Sequence, residues 1–150
     1  MRNYPPEAIE MFAKHVNQYT EGFNYLVNNN YPELLATIDA IRDNKKSFKY
    51  LMDNKHFELA AFVNAIWDDS VAFKVLLDKK AYDWAACANF INGDDKAKEV
   101  LLRLKKPHFV NLAYAIQLRI HEDGDRNVSP WGVLQNMFNL KKIFKKDEDN

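Results

Sequence analysis

Glu58-Leu59-Ala60-Ala61 is followed by Asn64, Ile66 and Val75-Leu76-Leu77; Asp83-Trp84-Ala85-Ala86 is followed by Asn89, Ile91 and Val100-Leu101-Leu102. Each residue of the second text stands 25 positions after its counterpart in the first. The same step backwards reaches Glu33-Leu34, Ala40-Ile41 and Phe48-Lys49-Tyr50-Leu51, and once more Ile9, Val16 and Phe23-Asn24-Tyr25-Leu26. Self-similarity at this length marks stacked supersecondary units. Within a unit the apolar residues fall at helical spacing: Ile9, Phe12, Ala13 and Val16, then Leu34, Thr37, Ile38 and Ile41, then Leu59, Phe62, Val63 and Ile66. A second, shorter helix follows, with Phe23, Leu26 and Val27, Phe48, Leu51 and Met52, and Phe73, Leu76 and Leu77 assigned inward. Two helices of about three and two turns with short breaks fill the unit and leave no room for a strand.

The breaks carry their own signals. Pro5-Pro6, Pro32 and Pro107 suit first turns. Asn28-Asn29-Asn30 can close a helix in the left-handed conformation, as Gly93 can in Asn92-Gly93-Asp94. Asp43-Asn44, Asp69-Ser70 and Asp94 supply N-caps. The sequence therefore predicts an all-α fold, a right-handed stack of about five helix-turn-helix repeats (an α-solenoid), forming a rod or gentle arc roughly 40–50 Å long at ordinary helix separations. The repeats are placed at about 7–31, 32–56, 57–81, 82–106 and 107–146, within a single domain over 1–146 and a frayed acidic tail at 147–150. The fifth keeps its first helix, which continues through Leu118 and Ile120. After a polar loop from His121 to Asn127, Ser129-Pro130 starts a longer helix with Leu134, Met137, Phe138 and Phe144 on one side, assigned as the C-terminal cap.

Superposing the units turns the sequence into columns. Ile9, Leu34, Leu59, Trp84 and Phe109 form an apolar spine, as do Val16, Ile41, Ile66, Ile91 and Ile116, and Leu26, Leu51, Leu76 and Leu101. Cys87 shares an inward column with Phe12, Phe62 and Leu112. Gly22, Ser47, Ala72 and Ala97 form a small column that lets helices approach closely. Two columns are polar: Lys14, Asp39, Asn64, Asn89 and Tyr114, and Asn17, Arg42, Trp67, Asn92 and Gln117. They are expected to form a solvent-facing stripe, in which Trp67 and Tyr114 are aromatics among Asn and Arg, the composition of a binding hot spot. The candidate partner-binding residues are therefore Asp39, Arg42, Asn64, Trp67, Asn89, Asn92, Tyr114 and Gln117.

The arrangement resembles ankyrin and HEAT-type helical solenoids. Asn92-Gly93 followed by Val100-Leu101-Leu102 is similar to the second half of an ankyrin repeat, and the unit is about an ankyrin repeat without its hairpin or its Thr-Pro-Leu-His signature. The resemblance implies partner binding by a scaffold of helices.

Other chemistry finds little support. Lys plus Arg and Asp plus Glu each number 21 in 150 residues, so no global field favours nucleic acid or anionic membranes. A nucleic-acid reading would need Lys45, Lys46, Lys49, Lys55, Lys79, Lys80, Lys105 and Lys106 to converge. One Cys excludes an internal disulfide, and the absence of a leader or an 18-residue apolar run suggests a cytoplasmic protein. Asp123-Gly124-Asp125-Arg126-Asn127 opens like a calcium loop but has Val128 and Leu134 where Gly and Glu are required. No His pair has zinc spacing and four scattered Gly build no phosphate loop. The basic stretch from Leu140 to Lys146 complements a helix dipole. The expectation is a non-enzymatic protein-protein interaction module for a protein or peptide, a monomer or weak homodimer, with no cofactor, metal or catalytic residue. The alternative is an enzyme or small-ligand protein with a site near the 121–127 loop.

Overall fold

The computed structural model describes residues 3–124. Among them the chain is all-α: α1 (Pro6–Val16), α2 (Thr20–Asn28), α3 (Pro32–Ile41), α4 (Lys45–Asp53), α5 (Phe57–Ile66), α6 (Ser70–Asp78), α7 (Tyr82–Ile91), α8 (Lys96–Arg103) and α9 (Pro107–Asp123). The proposed capping helix and tail lie outside the described residues, as does 125–127 of the polar loop.

The backbone repeats as strictly as the text. The first-helix breaks pass through a left-handed residue at Gln18, Asp43, Asp68 and Gly93, and the second-helix breaks through Asn30, Lys55, Lys80 and Lys105. Each left-handed residue turns the next N–H back onto the helix it has just left. Tyr31, His56, Ala81 and Lys106 donate to the carbonyls of Leu26, Leu51, Leu76 and Leu101 at 2.8–2.9 Å, and Asn44, Asp69 and Asp94 donate to Asp39, Asn64 and Asn89. These six-to-one bonds satisfy carbonyls that a helix end otherwise leaves open. N-caps follow at two breaks, where Asn44 accepts from Ser47 N–H and Asp69 from Val71 and Ala72 N–H; before α8 it is Asp94, one position ahead of the cap residue Asp95, that accepts from Lys96 N–H. At the fifth unit Leu118 stands where Asp43, Asp68 and Gly93 turn the chain, and α9 runs on until Gly124 ends it at φ 72°.

All three spine columns are buried, with Leu26, Leu51, Leu76 and Leu101 at 0% exposure. Phe12, Phe62, Cys87 and Leu112 are likewise fully enclosed. The inward assignment fails for part of the second helices: Phe23, Val27, Met52 and Leu77 are 40–49% exposed. The cause is architectural. α2, α4, α6 and α8 pack against the first helices of their own and the following unit, not against one another, so each buries a single Leu row and leaves a flank open.

The expected open rod is also corrected. α1 packs on α3, α3 on α5, α5 on α7, α7 on α9, and α9 returns to α1. Trp84 lies at the middle of this circuit, with ring centroids of Phe12 at 6.4 Å, Tyr4 at 6.2 Å, Phe62 at 4.8 Å and Phe109 at 4.9 Å. In a straight stack, Phe12 and Trp84 would stand three units, roughly 30 Å, apart. Closure packs α1 against α9 and gathers the large aromatics into one core.

Gly22 sets the separation of α1 and α2. A Cβ there would lie 2.4 Å from the Met11 carbonyl oxygen and 2.5 Å from the His15 nitrogen, both backbone atoms that cannot swing aside.

Candidate functional site

The two polar columns part company. Asn92 donates from Nδ2 to the Ala65 carbonyl at 2.9 Å, and Gln117 from Nε2 to Phe90 and Ile91 at 3.3 and 3.2 Å. Asn17 does the same to Ala115 at 3.2 Å, carrying the repeated tie across the junction of α1 and α9. Arg42 turns instead to Asp123 of α9, pairing through Nε and Nη2 at 3.0 and 3.2 Å. Gln117 is only 5% exposed, so the expectation that this column faces solvent fails there: amides at the ends of the first helices are drawn to carbonyls one unit back. Trp67 follows the last turn of α5 as its C-cap and keeps 37% exposure.

The other column lies one turn earlier on the first helices. Asp39 is exposed, and Asn64, Asn89 and Tyr114 are half-buried. Asn64 lies at the floor of a groove of about 380 Å³ between α4 and α6, above α5. Phe48 and Met52 of α4 form one wall, Val71 and Val75 of α6 the other, with Ala60 and Ala61 beneath and Phe57 and Lys79 at one end. Small alanines on α5 are what make the floor deep. Met52 is 42% exposed, Phe57 39% and Val71 72%, so apolar surface is uncovered at the rim. By repeat position Phe73, Leu77, Tyr82, Ala86 and Val100 stand where Phe48, Met52, Phe57, Ala61 and Val75 do, and Asn89 where Asn64 does, but Lys96 stands in place of the rim residue Val71. Tyr114, one unit further, is taken up by its own chain: its ring meets Phe90 at 5.3 Å and Lys98 reaches its hydroxyl at 3.4 Å.

The structure thus brings Asn64 together with Phe48 and Met52, which column reasoning had assigned to the core, and with Val71 and Val75, which it had not. The signal was present in the run Val27, Met52, Leu77 and Leu102, which recurs with the unit, but its exposure follows from the spacing of the outer helices.

Cys87 is fully buried, its thiol donates to the Phe109 carbonyl at 3.5 Å, and burial, reinforced by Asp83, pushes its pKa up, which suppresses the thiolate. Burial holds His15 and His108 below their ordinary 6.5, against a smaller raising effect of Asp39 on the former; Lys106 adds to the lowering at His108 and Asp83 opposes it. Asp123, the described end of the calcium-like segment, is engaged by Arg42 and Arg119. No group of three or more His, Cys, Asp or Glu among the described residues is arranged to hold a metal ion, and no helix among them is long and apolar enough to cross a membrane. Searches against family models, curated proteins and solved structures found no match for this chain.

Proposed function

We propose that this chain is a non-enzymatic protein-protein interaction module, a five-unit helical solenoid closed on itself, that binds a protein or peptide in the grooves between its outer helices. The 25-residue step of helix boundaries and left-handed residues supports the repeat reading. One observation carries the functional reading: the groove over α5 combines uncovered Met52, Phe57 and Val71 with a polar floor residue, Asn64. Contiguous apolar surface with a few convergent polar groups is characteristic of interaction sites. Trp67 and Asn92 border the same edge from the neighbouring column and extend the binding surface; Arg42 and Gln117 support it by fixing the first helices.

The test is affinity capture from the native host with the full-length chain, run beside Met52→Glu and Val71→Glu. A partner retained by the wild type and lost with both variants, at unchanged melting temperature, is the expected result. Partners indifferent to both substitutions would remove the groove from consideration.

A further inference from the structure

The groove over α5 has banks of opposite charge. α4 and α6 start at the same edge of the molecule; there exposed Lys45 and Lys46 stand on the α4 bank and exposed Asp68 and Asp69 on the α6 bank. Asp69 caps α6 through hydrogen bonds that leave its negative charge in place. Arg42, at the same edge, is already paired with Asp123. The opposite edge is close to balanced, with Asp53 and Lys55 around the end of α4 against Asp78, Lys79 and Lys80 around the end of α6. A segment of one charge sign laid along this groove would be attracted by one bank and repelled by the other.

A second copy avoids that conflict. In a face-to-face pair related by a two-fold axis running along the groove, α4 of one copy lies on α6 of the other and both run in the same direction. Lys45 and Lys46 then meet Asp68 and Asp69 twice over, since an isologous interface repeats each contact. The same operation sets Phe48 and Met52 of one copy against Val71 and Val75 of the other, covering apolar side chains of which Met52 is 42% and Val71 72% exposed. The chain's formal net charge is zero, so two copies meet without long-range repulsion. α4 and α6 have nine residues each and are about 13 Å long, which keeps the footprint below the roughly 800 Å² per partner of a standard interface. The pairing is therefore weak and depends on concentration.

We propose that the groove over α5 is covered by the same groove of a second copy of this chain, in a weak two-fold dimer whose interface is a four-helix layer of α4 and α6 from each copy, with the Lys45-Lys46 bank of one on the Asp68-Asp69 bank of the other. This rests on the groove reading above and names its occupant.

Sedimentation velocity of the full-length chain should show monomer giving way to dimer as concentration rises, with a dissociation constant on the order of 100 µM. Lys45→Glu/Lys46→Glu makes both banks acidic; Asp68→Lys/Asp69→Asn makes both basic, and Asn keeps a capping oxygen at the start of α6. Each variant alone should weaken the dimer by about tenfold or more, and an equimolar mixture of the two should associate at least as tightly as wild type, a rescue that a misfolded variant could not give. Met52→Glu should abolish association. A wild-type chain that stays monomeric at about 1 mM would overturn the proposal, as would a dimer that is indifferent to the charge variants or is not restored by mixing them. Affinity capture tests the groove separately: a host partner lost on Met52→Glu from a chain that does not self-associate would leave the groove standing and remove the second copy. Capture and association both indifferent to Met52→Glu would remove the groove as well.

Discussion

At the level of single residues, the most constrained position is the one without a side chain. Gly22 is helical and has no need of glycine's φ freedom; its constraint is the backbone of α1 against it. Gly22→Ala should destabilise by about 1–3 kcal/mol, the range for forced overpacking, measured by chemical denaturation. An unchanged midpoint would mean that α1 and α2 separate freely. The small column foretold a close approach but not that Gly22 alone, among Ser47, Ala72 and Ala97, admits no Cβ at all. The left-handed lysines were invisible in the sequence, since Lys is no helix terminator; only register against Asn30 identifies Lys55, Lys80 and Lys105. Lys80 is at φ 58°. A left-handed conformation costs a non-glycine residue roughly 1–2 kcal/mol, and glycine's extra chain entropy returns about half of that. Lys80→Gly should therefore raise stability by about 0.5–1 kcal/mol; a loss would show that the side chain holds the turn. Leu76→Ala, at 0% exposure, should cost about 2–5 kcal/mol, against less than about 0.5 for exposed Lys74→Ala.

Among the helices, legibility divides inner from outer. First helices have neighbours on several sides, so their apolar period reports burial faithfully, and their columns were read correctly. Outer helices rest on the inner ones along a narrow strip, so an apolar residue there is buried only if it points straight inward. Leu51 does; Met52, one position on, forms a groove wall. Gln117 of the candidate stripe was misread for the opposite reason: a polar residue at a helix end has carbonyls within reach, and Gln117 used them. Burial also gives the inner helices a pH dependence. His15 on α1 and His108 on α9 have folded pKa values below 6.5, so the unfolded chain binds more protons between the folded values and 6.5. Their contribution is complete above 6.5 and is lost as pH falls through that window. Melting temperature should drop from pH 7.5 to pH 5.5, and the part of the drop due to these groups should disappear in His15→Gln/His108→Gln. An identical drop in the double variant would assign it to carboxylates.

For the whole molecule, periodicity announced five units and was silent on how their ends meet. A repeat fixes the relation of each unit to the next; whether the accumulated rotation closes depends on small angles that no column encodes. The bond from Asn17 to Ala115 and the cluster on Trp84 show the consequence, α1 and α9 packed as successive first helices are. The groove proposed to bind a partner lies between two outer helices, α4 and α6. The most direct test is a distance. Spin labels placed at Glu10→Cys on α1 and Asn111→Cys on α9, in a Cys87→Ala background, should report a single separation below about 25 Å, since helices in contact lie roughly 8–10 Å apart and each label adds its tether. A distribution centred near 40 Å, four unit steps, would contradict closure.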